Sequence, residues 1–164
     1  MQAPLSGVRI LDLSAVVSGP MATGILADQG ADVIKVETQG GDLTRRVGPI
    51  KGDMTSLFAT INRGKRAIVL DLKQEAARSI LRELAEKADV LVENFRPGAM
   101  QRLGFGYEQV KAWNPRIVYL SISGFGQTGP YSGYRVYDPV IQAVSGLPTR
   151  TPTQTRKSPG FCRP

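Results

Sequence analysis

Five short runs of aliphatic and β-branched residues, separated by turns and helical patterns, constrain this chain more than any other feature. They are Val8 to Leu13, Asp32 to Glu37, Ala67 to Leu72, Asp89 to Asn94 and Ile117 to Ile122. Runs of this length read as strands, and several are apolar on both alternating faces, as strands buried between two layers must be. Helical patterns lie between them. The strongest spans Gln74 to Ala88, where Ala77, Ile80, Leu81, Leu84 and Ala88 recur at helical spacing and Glu83 precedes Lys87 by four residues. Others cover Met21 to Gln29, Ala99 to Leu103, Tyr107 to Trp113 and Pro139 to Val144. No element is assigned between Gly41 and Arg66.

Strand–helix alternation predicts βαβ units. The fold class expected is α/β: a Rossmann-like, open, mostly parallel sheet with helices on both faces. Such sheets bind ligands outside the carboxyl ends of their strands, at the point where strand order reverses. The segments following each strand are therefore the ones to inspect.

Composition removes several chemistries. The chain has no histidine, which excludes Ser-His and Cys-His nucleophilic systems and the commonest metal ligand. One cysteine among 164 residues excludes a disulfide framework, a zinc cage and an iron–sulfur centre. No metal site is expected. The start of the chain lacks the pattern of a secretory signal, and no apolar run approaches the roughly 20 residues that span a bilayer. A cytoplasmic protein without membrane contact is the expectation.

The formal charge of +7 suggests a nucleic-acid partner until its location is considered. Residues 148–164 carry Arg150, Arg156, Lys157 and Arg163, no acidic residue, and the only cysteine, Cys162. Without those four bases, 17 basic residues face 14 acidic ones, so residues 1–147 carry only +3. The body (1–147) and the basic Pro/Thr/Arg tail (148–164) are separate problems. The tail lacks any helical or strand period and is expected to be disordered.

The first strand–helix junction, Ser18 to Gly24, fits neither the G-x-G-x-x-G nor the P-loop fingerprint. Glu37 ends the second strand where a dinucleotide fold would place its ribose-binding acid, but without the glycine pattern it reads as a solvated strand end. The later strands exit into Asp71-Leu72-Lys73, Asn94-Phe95-Arg96-Pro97-Gly98 and the glycine-rich Ser123 to Pro130. With Asn62 to Arg66, Arg102 and Arg135, these segments gather basic groups near strand ends. They form no continuous stripe, which favours a phosphorylated small molecule over nucleic acid. Asp138, before Pro139, reads as a helix N-cap or as a carboxylate facing the ligand. Trp113, Tyr119 and Tyr131 read as packing residues.

In this order, the blocks Pro4 to Asp12, Leu26 to Glu37, Asn62 to Arg66, Leu70 to Lys73, Asp89 to Gly98, Asn114 to Arg116 and Gly124 to Pro130 resemble the class III CoA-transferases. This is the CaiB/BaiF family, which includes formyl-CoA transferase and the α-methylacyl-CoA racemases. The resemblance implies the N-terminal part of a large Rossmann-like domain, a homodimer of interlocked chains, and acyl-CoA and carboxylic acid substrates, with no permanently bound cofactor. Leu70, Lys73, Asn94, Phe95, Arg102 and Arg135 match positions that contact coenzyme A, and Arg45 resembles a further basic contact. Val17 stands where formyl-CoA transferase has a glutamine and Thr38 where it has an arginine, so that enzyme's oxalate/formate specificity is not carried over.

The family's transferases attack the acyl-CoA thioester with an aspartate, giving a mixed anhydride. That residue lies downstream of the position matched by Asp138, which is at most auxiliary. The resemblance therefore implies no catalytic residue in this chain and no activity for it alone. Tyr137 occupies the position of the racemases' catalytic histidine, which disfavours that branch. A racemase-like protein and a non-catalytic CoA-binding module are the alternatives. The family character ends after Leu147, and the tail has the composition of out-of-frame translation of GC-rich DNA. A frameshift is the expectation for residues 148–164, with a natural short paralogue as the alternative.

Overall fold

A computed structural model of the chain describes residues 2–52 and 54–147. The expectations for the tail and for Cys162 fall outside the described residues. The chain divides into two units, Met1–Ile122 and Ser123–Pro164.

The first unit is built on a five-stranded parallel sheet. Its strands are β1 (Arg9–Asp12), β2 (Asp32–Glu37), β5 (Arg66–Val69), β6 (Val90–Glu93) and β7 (Val118–Ser121), arranged β5-β2-β1-β6-β7. β1 pairs with β2 on one side and β6 on the other, so the strand order reverses between β1 and β6. The sheet follows the expectation, with each strand a residue or two shorter than its apolar run except β2, whose bounds coincide.

Strand period decides which side chain enters which layer. Leu11, Val36 and Leu91 face a core completed by Ala77, Leu81 and Ala85 of α3 (Glu75–Lys87), Met100 of α4 (Ala99–Arg102) and Val110 of α5 (Tyr107–Trp113). Ile10, Val33 and Val92 face the other layer, where Leu26 and Ala27 of α1 (Ser18–Asp28) pack. Helices therefore cover both faces. Burying a leucine such as Leu81, fully enclosed here, contributes about 2–3 kcal/mol. The ion pairs along α3 are Glu75–Arg78 and Arg82–Glu86.

The start of α1 and the segment between β2 and β5 differ from expectation by more than a residue. α1 begins at Ser18, three residues early, because Pro20 falls in the first turn, where a backbone N–H has no helical partner to lose. Between β2 and β5 the chain forms a short 3-10 turn (Leu43–Arg46), a hairpin of β3 (Ile50–Lys51) and β4 (Met54–Thr55), and α2 (Ser56–Asn62). Thr55 caps α2, accepting from Phe58 N–H at 3.0 Å. α2 packs on α1 at Gly24, where an added Cβ would lie 2.7 Å from the Ile61 carbonyl oxygen.

The second unit contains α6 (Asp138–Ser145). Tyr137, not Asp138, occupies the N-cap position, and Asp138 is the first helical residue, accepting from Gln142 one turn on. A carboxylate there also favours the helix N-terminus. Tyr131 is exposed and meets Phe125 and Tyr134 through ring contacts rather than lying in a core. Trp113 and Tyr119 pack against the main core of the first unit, as expected.

Candidate functional site

At the carboxyl ends of β1, β2, β5 and β6 lies a cavity of about 290 Å³. Its walls come from Leu13, Ser14 and Ala15 after β1, from Lys35 to Thr38 at the end of β2 with Gly41 and Asp42 beyond it, and from Leu70 to Lys73 after β5. Phe95 after β6 and Leu103 after α4 complete it. Leu13, Val36, Leu70, Leu72, Phe95 and Leu103 make the walls largely apolar, and Lys73 adds an exposed ammonium group. The volume lies near the small end of ligand pockets, about 300–1,000 Å³.

Of the sequence-predicted residues, Leu70, Lys73 and Phe95 line this cavity. Phe95 is held by its own N–H, which donates to Glu93 Oε2 at 2.7 Å, and Glu93 is buried. The Lys73 N–H donates to Asp71 Oδ1 at 3.1 Å, a tight turn that closes the end of β5. Asn94 stands one layer back. Its Nδ2 donates to the Ala15 carbonyl at 2.7 Å and its Oδ1 accepts from the Ala15 N–H at 2.9 Å. Arg102 is exposed at the end of α4, next to Leu103 of the wall. Arg135 belongs to the second unit.

Arg45 is engaged within the fold. Its guanidinium donates to both carboxylate oxygens of Glu37 and lies 3.7 Å from the Phe58 ring centroid. Glu37 is thus no solvated strand end but is buried, at 6% exposure. The Arg45 bonds hold its carboxyl below the ordinary glutamate value. Burial opposes them, and the Asp42 N–H, at 2.9 Å, assists. The block Asn62 to Arg66 is also committed internally: Arg63 pairs with Asp28, Arg66 with Asp32, and Lys65 with Asp12. These bases are engaged in internal ion pairs and none lines the cavity.

What the sequence did not reveal is a buried ionic network bordering the cavity, with Lys35, Glu37 and Asp42 among the lining residues. Lys35, 1% exposed, donates to the Ser14 carbonyl at 2.9 Å and lies 3.0 Å from Asp42 Oδ2. Burial raises the Asp42 carboxyl, but Thr44 and Lys35 outweigh it and bring the group below its ordinary value. Asp12 is fully buried and accepts from Ser14, from Thr23 at 2.6 Å and from Lys65 at 3.0 Å. Burial lowers the Lys65 ammonium pKa against the attraction of Asp12, and repulsion from Lys35 adds to that lowering. The signal was present in β2. Lys35 and Glu37 share the face of Val33, which a doubly covered sheet must bury, so both charges needed partners.

Beside this network Val16 has φ +68°, unlike any other described non-glycine residue. For a β-branched residue this conformation costs about 1–3 kcal/mol and persists only where its surroundings over-determine it. Among the described residues, no cluster of three or more potential metal ligands occurs, and no helix is long and apolar enough to cross a membrane.

Comparison with known proteins gives a consistent result. A family model described as CoA-transferase family III matches residues 5–162. The chain is 52% identical over 147 residues to an acetyl-CoA:oxalate CoA-transferase of Acetobacter aceti, covering 89% of this chain and 38% of that protein. It is 48% identical over 146 residues to the human succinyl-CoA:glutarate CoA-transferase, covering 88% of this chain and 33% of that one. The chain thus spans about a third of these relatives' length. Among solved structures, a CAIB/BAIF family protein from Brucella suis superposes with a TM-score of 0.86 at 40% identity, covering 95% of this chain and 44% of that one.

Proposed function

The chain belongs to CoA-transferase family III, and we propose that its cavity is the coenzyme A site of an enzyme moving CoA between an acyl-CoA donor and a carboxylic acid. The observation that carries this reading is the meeting of Leu70, Lys73 and Phe95 in one cavity at the strand reversal. An apolar enclosure with a cation among its lining residues suits a ligand with a flat or aliphatic end and phosphates beyond it. Arg102, exposed beside this wall, is a second cation for those phosphates. Arg45 acts through Glu37 instead.

The transfer itself needs a carboxylate nucleophile to accept the acyl group from the thioester as CoA thiolate departs. The family resemblance assigns this role to an aspartate downstream of the position of Asp138, and residues 139–164 carry no acidic residue; the buried Asp12, Glu37 and Asp42 are each held in internal bonds. Asp138 is auxiliary at most. We place the protein in the cytoplasm, as a homodimer in its full-length form.

Calorimetric titration of the chain with CoA tests the site. One-to-one binding in the micromolar range, weakened in Lys73→Glu, is expected; no binding by a chain that circular dichroism shows to be folded would overturn it. An acyl-transfer assay tests the placement of the nucleophile. Turnover by this polypeptide alone would overturn that part.

A further inference from the structure

Three side chains from three different strands or turns grip three successive residues of one loop. Lys35 bonds the Ser14 carbonyl at 2.9 Å, Asn94 bonds the Ala15 N–H and carbonyl, and Asp42 Oδ1 accepts from the Val16 N–H at 3.3 Å. Lys35 and Asp42 also pair with each other. The gripped loop contains the one described non-glycine residue with positive φ, and its Ser14 and Ala15 form part of the cavity wall.

A role in stability alone explains this poorly. A buried ion pair is often no better than apolar residues of the same volume, so its presence calls for another reason. Lys35 and Asp42 border the cavity, yet at 1% and 5% exposure each is committed to internal partners. Both do reach backbone atoms of the loop that a relaxed, right-handed Val16 would displace.

We propose that Lys35, Asp42 and Asn94 are positioning residues that hold Val16 in the left-handed conformation and so fix the Ser14–Ala15 wall against acyl-CoA. The proposal rests on the CoA reading of the cavity. It gives Asn94 a role distinct from direct ligand contact, because both polar atoms of its amide are occupied by Ala15. It also accounts for a buried Lys35 on an interior strand of the sheet.

The test pairs each clamp variant with a loop variant. Glycine adopts positive φ without the steric cost that valine meets, so Val16→Gly should make the clamp dispensable. Asn94→Ala and Lys35→Met should each raise the CoA dissociation constant about tenfold, and adding Val16→Gly should bring it within about threefold of the wild type. Asn94→Ala carries the test if Lys35→Met fails to fold. A loss that Val16→Gly does not recover would mean direct contact or general instability and would overturn the proposal, as would unchanged affinity in Asn94→Ala.

Amide exchange in the ligand-free chain separates this idea from the CoA reading. The Ala15 and Val16 amides should exchange slowly in the wild type and at least about tenfold faster in Asn94→Ala, with amides of α3 unaffected. Absence of CoA binding together with this exchange pattern would remove the CoA reading and leave the clamp standing. Fast exchange at both amides in the wild type would remove the clamp.

Discussion

Arg45 holds both carboxylate oxygens of Glu37, Nε to Oε2 at 2.8 Å and Nη2 to Oε1 at 2.6 Å, over the face of Phe58. The pair joins the end of β2 to the turn that follows it. Its carboxylate side is buried while the guanidinium is about one-third exposed. Removing the cation strands a buried charge.

Arg45→Met should therefore lower stability by roughly 2 kcal/mol at neutral pH, less than for a fully enclosed pair because solvent reaches the guanidinium. The sign with pH follows from the lowered Glu37 value. The stabilisation is fully present above the ordinary glutamate value of 4.5 and is lost as pH falls through the depressed folded value. In the variant this acid-side loss should shrink. Urea midpoints measured from about pH 3 to 7 on both proteins check it.

Lys65 and Arg63 sit two residues apart and make ion pairs of different worth. The Lys65–Asp12 pair is enclosed, at 2% and 0% side-chain exposure, whereas Arg63–Asp28 lies in solvent at 54% and 41%. Lys65→Met should cost about 3–5 kcal/mol and Arg63→Met less than about 1 kcal/mol. Urea unfolding of the two variants distinguishes them, and equal losses would contradict the burial argument.

Gly24 lies in the second turn of α1, where helix propensity favours alanine by about 1 kcal/mol. The Cβ that alanine adds would meet the Ile61 carbonyl oxygen at 2.7 Å, a backbone atom that cannot swing aside. Gly24→Ala should destabilise by about 1–3 kcal/mol despite its propensity. A raised thermal midpoint in that variant would show that α1 and α2 separate easily.

Lys73 brings an exposed ammonium to the lining of the cavity. Lys73→Ala should raise the CoA dissociation constant about tenfold with little change in stability, and the difference should diminish at high salt. Titrations at two salt concentrations, with a melting curve for each protein, measure both effects.

Much of this architecture was legible before any coordinates. The period of Asp32 to Glu37 located β2 to the residue, and the Tyr107 to Trp113 pattern located α5. Local regularity sufficed there because each element repeats the same burial demand along its length. α2 was not legible: its seven residues, Ser56 to Asn62, are too few to establish a period, and a threonine cap outside the helix begins it.

The site divides in the same way. The sequence by itself determined the parallel α/β fold and pointed to the strand ends, and the family resemblance named Leu70, Lys73 and Phe95, which the fold brings into one cavity. Only the tertiary structure decided which charges remain for a ligand and which are bound inside. Lys65 meets Asp12 across 53 positions and Asn94 meets Ala15 across 79, distances over which no periodicity reports. Strand alternation says that Lys35 and Glu37 face inward, and so that each needs a partner. Which partner, and whether it strains Val16 in the process, follows from how separate strands come to lie side by side.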